Sequence, residues 1–207
     1  MLRAGAPEVA TARSNPGWDA GRPRIVAAAE RVALAIVAPL LLARTLRLMS
    51  FMAGAQALSL VPGALGLLIR RAWYGATLAH CGKRLTVQFG TVIAHAETRI
   101  ADDCYFGPFN NVGLAEIGEQ FISGPQVCIL SGRGQHRFGR RDLPVRRQYG
   151  ALTCVSIGAD VYAGANATIA ADVGAHSVVG AGAVVTQTFP EWSVLAGNPA
   201  RVLRQRD

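Results

Sequence analysis

Residues 157–185 read IGADVYAGANATIAADVGAHSVVGAGAVV, and this stretch decides the expected fold. Aliphatic or small residues recur six positions apart in two runs, Ile157, Ala163 and Ile169, then Val173, Val179 and Val185. Glycine follows four of these positions, as Gly158, Gly164, Gly174 and Gly180. A period of six matches neither the 3.6-residue period of a helix nor the alternation of a simple strand. It predicts a parallel β-helix, in which each six-residue unit forms one short side of a coil.

The same repeat runs upstream from about residue 80. Six-residue steps link Ile100, Phe106 and Val112, and then Ile117, Ser123 and Ile129. A coil cannot bury its inner side chains alone, so stacked coils share one continuous core. The spacing falls one residue short before Ile117 and two short before Val173, which predicts a tightened corner there rather than a lost coil. We therefore expect a mainly β domain over residues 80–207, ending in a short C-terminal cap.

Composition narrows the class of protein. The chain has 207 residues, enough for one domain. Its content of 51% hydrophobic and 16% charged residues excludes a disordered chain. The net charge of +8 suits nucleic acid, an anionic membrane surface or an anionic ligand. Since no nucleic-acid-binding motif is present, we expect no nucleic-acid partner. Widely spaced cysteines predict reduced, structural thiols inside successive coils of a cytoplasmic protein and no metal site: Cys81, Cys104, Cys128 and Cys154.

The N-terminal third has a different texture. Residues 1–22 lack a period and are expected to form a flexible tail, and residues 23–79 a hydrophobic or amphipathic helical segment. Pro62 interrupts an uncharged run, which predicts two helices, roughly 25–60 and 64–78. Three placements are open: on an anionic membrane surface, as a buried cap, or across a bilayer. Basic flanks favour surface contact through residues 25–78 at the inner face of the cell membrane: Arg44, Arg47, Arg70 and Arg71.

Residues 131–151, SGRGQHRFGRRDLPVRRQYGA, break the repeat. No aliphatic row continues through them, and they hold six arginines against one aspartate, Asp142. This pattern predicts a loop extruded from the solenoid. Loops on rigid scaffolds often carry function, so we expect the site there.

Three stretches in this order, HRFGRRDLPVRRQYG, SIGADVYAGANATIAADVGAHSVVGAGAVVT and AGNPARV, resemble the hexapeptide-repeat O-acyltransferases. The resemblance covers about residues 80–205 and is strongest to sugar and exopolysaccharide O-acetyltransferases. It implies a left-handed β-helix and a homotrimer with active sites between subunits. It also implies transfer of an acyl group, acetyl above all, from CoA to a sugar hydroxyl in exopolysaccharide or cell-envelope glycan biosynthesis.

The resemblance also assigns catalytic roles. His136 lies in the extruded loop, 21 residues before Ile157, where the family carries its catalytic histidine. Histidine can take a proton from a hydroxyl at neutral pH, so His136 is the expected general base. His95 is the runner-up, and His176 is expected to be a surface residue. The family's oxyanion donor is a backbone N–H that corresponds to Ala165.

Binding residues follow in the same way. The resemblance places acetyl-CoA or another acyl-CoA, without a metal, against Gly164, Gly182, Ala183, Thr186, Asn198, Pro199 and Arg201. It places the sugar or glycan acceptor against Asn110, Asn111 and Arg146. For Asn110, a structural ladder or turn inside the coil is the alternative.

Two other functions stay open. One is acyl transfer to an amine or to a small antibiotic or amino-acid acceptor, although the His-Arg-Met-Asp-Gly-Ser pattern of xenobiotic acetyltransferases is missing. The other is an inactive trimeric scaffold, which would leave the His136 loop without a role. A zinc site like that of carbonic-anhydrase relatives is excluded, because the closest histidines, His80 and His95, are 15 residues apart.

Overall fold

The computed structural model describes residues 23–207, with side chains from residue 28 onward. The expected tail at residues 1–22 lies outside the described residues. Three helices come first, α1 (Pro23–Thr45), α2 (Phe51–Ser59) and α3 (Gly63–Thr77). Short strands then fill the rest of the chain, stacked as a parallel β-solenoid.

The solenoid has three sheets of parallel strands. The first sheet contains β1 (His80–Cys81), β4 (Arg99–Ile100), β7 (Ala115–Ile117) and β10 (Val155–Ile157). The second contains β2 (Thr86–Val87), β5 (Tyr105–Phe106), β8 (Ile122–Ser123), β11 (Tyr162–Ala163), β13 (Val178–Val179) and β15 (Ser193–Ala196). The third contains β3 (Val92–Ile93), β6 (Asn111–Val112), β9 (Cys128–Ile129), β12 (Thr168–Ile169) and β14 (Val184–Val185). The expected parallel β-helix is therefore confirmed.

The period-six residues form the core. Every one of them from Ile100 to Leu195 is buried, at 5% exposure or less. Parallel bridges join Ile157 to Val173 and Val173 to Phe189, so the first sheet continues through the last two coils. The two-residue shortfall before Val173 is thus a tightened corner, as predicted. β16 (Arg201–Gln205) pairs antiparallel with β15 and ends the solenoid.

Coil length varies at one corner only. The sides from the first sheet to the second, and from the second to the third, take six residues each. The return from the third sheet to the first, here called the variable corner, takes seven residues from Ile93 to Ile100, five from Val112 to Ile117, 28 from Ile129 to Ile157, and four each from Ile169 to Val173 and from Val185 to Phe189. The extruded loop is the longest of these returns.

The helical segment departs from the two predicted helices. The expected helix over 25–60 is wrong, because α1 ends in a closed turn in which Leu48 N–H donates to the Ala43 carbonyl at 2.8 Å. Arg47 adopts a φ of +60° in that turn, and Ser50 then caps α2. Glycine at position 47 would have signalled the end of the helix, but the residue there is arginine, so the sequence did not reveal the break.

Helices α2 and α3 cap the first coil. Trp73 and Tyr74 are fully buried against it, and the Ile93 N–H donates to the Tyr74 hydroxyl at 3.1 Å. Arg70 is 1% exposed, so the expectation that it flanks a membrane surface is wrong. Arg71 pairs with Glu30 at 3.0 Å. No helix among residues 23–207 is long and apolar enough to cross a bilayer.

The cysteines are free thiols, but only Cys104 is buried in the core. Cys81 and Cys128 are half-buried and Cys154 is exposed, so the expectation of four inward thiols is wrong. Cys128 precedes the inward-facing Ile129, and strand alternation turns its side chain outward. Burial raises the pKa of Cys104 to about 12 and that of Cys81 to about 11.

Candidate functional site

The extruded loop is an ordered hairpin rather than an irregular excursion. Its base closes where Thr153 N–H donates to the Ser131 carbonyl at 3.0 Å, and Ala151 N–H to the Gly134 carbonyl at 3.0 Å. An antiparallel bridge pairs His136 with Tyr149 farther out. His136 is exposed on this hairpin, so the backbone ladder holds the proposed base at a fixed distance from the solenoid.

The tip of the hairpin is organised by Gln148. Its amide donates to the carbonyls of Arg140 and Leu143, both at 2.8 Å, and its oxygen accepts from Arg140 N–H at 3.0 Å. Gln148 is buried even though it belongs to a loop. Arg146 lies exposed in a 3₁₀ turn, Val145–Arg147, beside it.

A cleft of about 490 Å³ lies at the base of the hairpin, here called the base cleft. It lies on the variable corner and is lined by Gly132, Arg133, Gly134, Thr153, Cys154, Val155, Ala170, Ala171, Asp172 and Thr188. Burial raises the pKa of the Cys154 thiol, and the nearby carboxylates of Glu116 and Asp172 raise it further. The thiol is therefore protonated at neutral pH and is a poor nucleophile. The sequence did not reveal this cleft, because its walls come from separate coils.

Several predicted CoA residues meet at the opposite corner, between the second and third sheets. Gly182 N–H donates to the Ala165 carbonyl at 2.8 Å, which stacks Gly182 directly on the turn that contains Gly164. The turn that carries Asn198 and Pro199 folds over the same corner, since Val184 N–H donates to the Gly197 carbonyl at 3.0 Å. Arg201 follows at the start of β16, exposed. We call this group the glycine corner.

The Ala165 amide is available at the glycine corner. Its N–H has no acceptor among the described residues, a property that it shares with Ala181 in the next coil. The geometry therefore permits an oxyanion donor at Ala165 without singling it out. Gly182 has a φ of +68°, and no heavy atom lies within 4 Å of where its Cβ would be, so the surface there is open.

Three predicted binding residues are buried instead. Gly164 packs against the Ala181 backbone, where a Cβ would come within 2.5 Å of the Ala181 nitrogen. Ala183 is 0% exposed and faces the core, so its side chain cannot contact a ligand. Asn110 is 2% exposed, donates to the Ser123 hydroxyl and accepts from Val127 N–H at 2.8 Å. The structure thus favours the alternative in which Asn110 is a ladder residue inside the coil.

The remaining predicted residues lie elsewhere on the surface. Asn111 points outward from β6 in the third sheet, and Thr186 lies half-buried just after β14 at the variable corner. In one chain, therefore, Thr186 and the hairpin with His136 and Arg146 stand at one edge of the third sheet. The glycine corner stands at the other edge.

The other histidines have separate environments. His95 Nε2 lies 3.4 Å from the Ser131 hydroxyl at the root of the hairpin. His176 is partly exposed, as expected, with Nδ1 3.1 Å from Asp160 and its ring stacked on Trp192. No cluster of three potential metal ligands occurs in the described part of the chain.

Comparison with known proteins identifies the fold. No protein-family model matches the chain. A hexapeptide-repeat acetyltransferase from Vibrio cholerae superposes with a TM-score of 0.60 at 24% identity, covering 76% of this chain and 91% of that protein. The same Vibrio cholerae protein complexed with acetyl coenzyme A gives a TM-score of 0.56 at 23% identity, covering 76% and 87%.

A maltose O-acetyltransferase from Clostridium difficile superposes equally well. The TM-score is 0.61 at 23% identity, covering 74% of this chain and 83% of that protein. At this level of identity the likeness establishes the fold. The chain therefore shares the fold of hexapeptide-repeat acetyltransferases, as the sequence resemblance predicted.

Proposed function

We propose that this chain is a CoA-dependent O-acyltransferase that moves an acetyl group to a sugar hydroxyl in exopolysaccharide or cell-envelope glycan biosynthesis. The observation that carries the proposal is the ordered hairpin that presents His136 from this fold. Solved proteins of the same fold include a maltose O-acetyltransferase and an acetyltransferase complexed with acetyl coenzyme A.

His136 supplies the base in this proposal. An unprotonated imidazole nitrogen accepts the proton of the sugar hydroxyl while the hydroxyl oxygen attacks the carbonyl carbon of the thioester. A C–O bond forms, the C–S bond breaks, and the proton leaves on the sulfur of CoA. The products are an acetylated sugar and a free thiol. The Ala165 N–H stabilises the negative charge that develops on the carbonyl oxygen.

The glycine corner fits the acyl-CoA co-substrate. Gly182 leaves the backbone accessible to a narrow pantetheine arm, and the exposed Arg201 guanidinium suits a phosphate. Asn198 and Pro199 line the same corner. Thr186, another predicted CoA residue, lies at the variable corner instead. Asn111 and Arg146 are left as the exposed candidates for acceptor contacts.

Replacing His136 tests the proposal. We expect His136→Ala to lower kcat by roughly 10²–10⁴, the usual contribution of a general base, in an assay of thiol release from acetyl-CoA with a panel of sugars. His80→Ala is the matched control, because His80 is also exposed but lies in β1, away from the hairpin. Activity of His136→Ala near that of the control would remove His136 from the role. Release with amines alone would favour the amine alternative, and no release with any acceptor would favour the inactive scaffold.

The backbone donor has its own test. In the preceding coil Tyr162 pairs with Ile122 and Ala163 with Ser123, so Pro125 occupies the position equivalent to Ala165. Proline is therefore compatible with this corner and removes only the N–H. We expect Ala165→Pro to fold normally and to lower kcat by roughly 10²–10³. Unchanged kcat would eliminate the Ala165 amide as the donor.

We also propose that α1 rests on the inner face of the cell membrane. Its inner side packs on α3 through Ala33 and Val37, while Val32, Ile36 and Leu42 remain about half exposed on the outer side. No charged residue occurs from 32 to 43. An apolar helical stripe next to basic residues suits an anionic bilayer surface.

Vesicle binding tests this contact. We expect wild-type protein to sediment with phosphatidylglycerol vesicles and Val32→Gln/Ile36→Gln to bind at least about tenfold more weakly, because each buried aliphatic side chain contributes about 1.5–3 kcal/mol. Leu203→Gln is the control, since Leu203 is equally exposed on β16 at the far end of the solenoid. Wild-type protein that ignores anionic vesicles would end the proposal.

A further inference from the structure

A second cleft, of about 580 Å³, lies at the N-terminal end of the variable corner, between the α1–α2 connection and the first coil. We call it the arginine cleft. Its lining consists of Arg44, Arg47, Leu48, Met49, Ser50, Phe51, Met52, Ala94, His95, Ala96 and Glu97. The acetyl-transfer proposal uses none of these residues.

The cleft carries positive charge that the protein leaves unneutralised. Among the described residues, neither Arg44 nor Arg47 forms an ion pair, and Glu97, the acidic member of the lining, pairs with neither. The Arg44 guanidinium lies 5.6 Å from the centroid of the Phe51 ring, a cation–π contact that positions it without neutralising its charge. Two arginines in this arrangement can donate several hydrogen bonds to one phosphate.

Arg47 reaches the cleft from the tight turn that ends α1. Arg47 has a φ of +60° in the turn that ends α1, a position that usually takes glycine because a side chain is strained there. Arginine gains no backbone advantage at such a position. Nine other non-glycine residues of the described chain have a similar φ, so what marks Arg47 is that its side chain lines the cleft beside Arg44.

The other walls of the cleft are apolar. Met49, Phe51 and Met52 line it, and Leu48, at 78% exposure, projects from its rim next to the exposed Leu46. A free phosphate would leave these side chains unused. A phosphate esterified to a long apolar alcohol would contact the arginines and the apolar walls together.

We propose that the arginine cleft binds an amphiphilic phosphate ester, the phosphate on Arg44 and Arg47 and the apolar chain along Leu48 and Met52. The cleft adjoins the catalytic hairpin, because His95 of its lining lies 3.4 Å from Ser131 at the hairpin's root. The ester is then the carrier of the glycan acceptor, and this second step rests on the proposed acyl transfer.

Titration calorimetry with farnesyl phosphate tests the cleft. We expect wild-type protein to bind farnesyl phosphate at least tenfold more tightly than either inorganic phosphate or farnesol. Equal binding of inorganic phosphate would overturn the need for the apolar chain, and equal binding of farnesol would overturn the need for the phosphate.

Three variants locate the binding. Arg44→Gln and Arg47→Gly should each weaken farnesyl phosphate binding at least tenfold. Arg47→Gly also relieves the strained turn, so its Tm should equal or exceed the wild-type value and misfolding cannot explain the loss. Arg31→Gln, which removes the same charge from α1 outside the cleft, should bind like wild type. Wild-type binding by Arg47→Gly, or a loss in Arg31→Gln equal to that in Arg44→Gln, would refute the site.

Two further measurements distinguish binding of the phosphate ester from the proposed membrane contact and from the proposed acetyl transfer. If Arg47→Gly weakens binding to phosphatidylglycerol vesicles but not to farnesyl phosphate, Arg47 serves a lipid surface and the inference fails. His136-dependent thiol release without farnesyl phosphate binding would also sink the inference and leave the proposed function intact. Binding of farnesyl phosphate without thiol release from any acceptor would contradict the proposed function but still support the arginine cleft as a binding site.

Discussion

Arg70 joins the helices to the solenoid through backbone carbonyls alone. Its Nε donates to the Val87 carbonyl at 2.8 Å, and Nη1 donates to the carbonyls of Val61 at 2.7 Å and Leu58 at 3.1 Å. These oxygens belong to the end of α2 and to the first coil. Burial lowers the pKa of Arg70, but the guanidinium remains charged. The Arg70 side chain thus donates hydrogen bonds to carbonyls at the end of α2 and in the first coil, where no further helical turn or coil follows to supply donors.

We expect Arg70→Met to lower the free energy of unfolding by about 3 kcal/mol. Methionine retains the apolar stem but leaves buried carbonyls without donors. Urea denaturation followed by circular dichroism measures the change. Arg99→Met is the control: its pair with Glu116 is exposed, so the cost should stay below about 1 kcal/mol. Equal costs for the two variants would contradict this role of Arg70.

Asp160 links the C-terminal tail to the solenoid in a pH-dependent way. Its carboxylate accepts from His176 at 3.1 Å and from Arg206 at 2.8 Å, and these contacts lower its pKa. A lowered pKa in the folded state stabilises the protein above the unfolded value of about 3.9, and that stability is lost as the pH falls through the folded value.

The Tm of Asp160→Asn should therefore fall below that of wild type at about pH 7, where the carboxylate is charged, and the gap should narrow as the pH approaches about 3. Differential scanning calorimetry across this range measures the gap. Because Asp160 is partly exposed, the effect is small. A gap of the same size at both ends of the range would show that the ion pairs do not carry the stability.

The spacing of residues predicted the core well, but it predicted the hydrogen-bond partners of buried polar side chains poorly. Ile100, Ile117 and Ile157 follow from a period of six, because every coil repeats the same inward step. Arg70 escaped prediction, and the ladder role of Asn110 was only one of two alternatives, since a polar residue type does not show which groups surround it. In the structure Arg70 donates to backbone carbonyls, and Asn110 bonds to the Ser123 hydroxyl and the Val127 N–H, all in segments distant in the chain.

At the scale of elements, the hairpin is a second, smaller fold built on the solenoid. Its position was predicted, because the aliphatic row stops at residue 131 and resumes at Val155. Its internal ladder was not, because the bonds join backbone groups such as Arg137 N–H and the Gln148 carbonyl, which leave no side-chain pattern. The two clefts were missed for a related reason, since each brings together segments far apart in sequence.

Gln148 tests whether the ordered tip matters to catalysis. Gln148→Ala removes the three hydrogen bonds to Arg140 and Leu143 and should lower kcat for thiol release roughly 10- to 100-fold by loosening the position of His136. The Tm should change little, because no solenoid strand is touched. Faster tryptic cleavage after the hairpin arginines would confirm the loosening.

Gln135→Ala is the matched control. Gln135 lies in the same hairpin, but there only its backbone carbonyl accepts a bond, from Gly150 N–H at 3.2 Å. It should leave both kcat and the cleavage rate near wild type. Equal losses in Gln135→Ala and Gln148→Ala would mean that the hairpin tolerates no change, rather than that the tip is organised by Gln148.

At the scale of the whole molecule, the proposed base and the proposed CoA surface stand at opposite edges of the third sheet. This separation supports the homotrimer implied by the sequence resemblance, in which the hairpin of one subunit faces the glycine corner of the next. We expect sedimentation equilibrium to give about three times the 21.8 kDa chain mass.

Subunit mixing checks where the site lies. His136→Ala and Ala165→Pro are each expected to have a strongly lowered kcat, but a site between subunits can draw His136 from one variant and the Ala165 amide from the other. Refolding the two variants together should restore part of the wild-type thiol release. Mixed trimers without activity would place both groups within one subunit.

The variable corner can accept inserted residues that the other two sides of a coil cannot. Two sides of every coil are fixed at six residues, so inserted or deleted residues there would shift every later inward position. At the variable corner, returns of four, five, seven and 28 residues serve the same stack. New segments can therefore be grafted between Ile169 and Val173, or between Val185 and Phe189, without re-registering the core. Under the proposed acetyl transfer, such grafts would alter the acceptor side, because they lie on the edge that already carries His136.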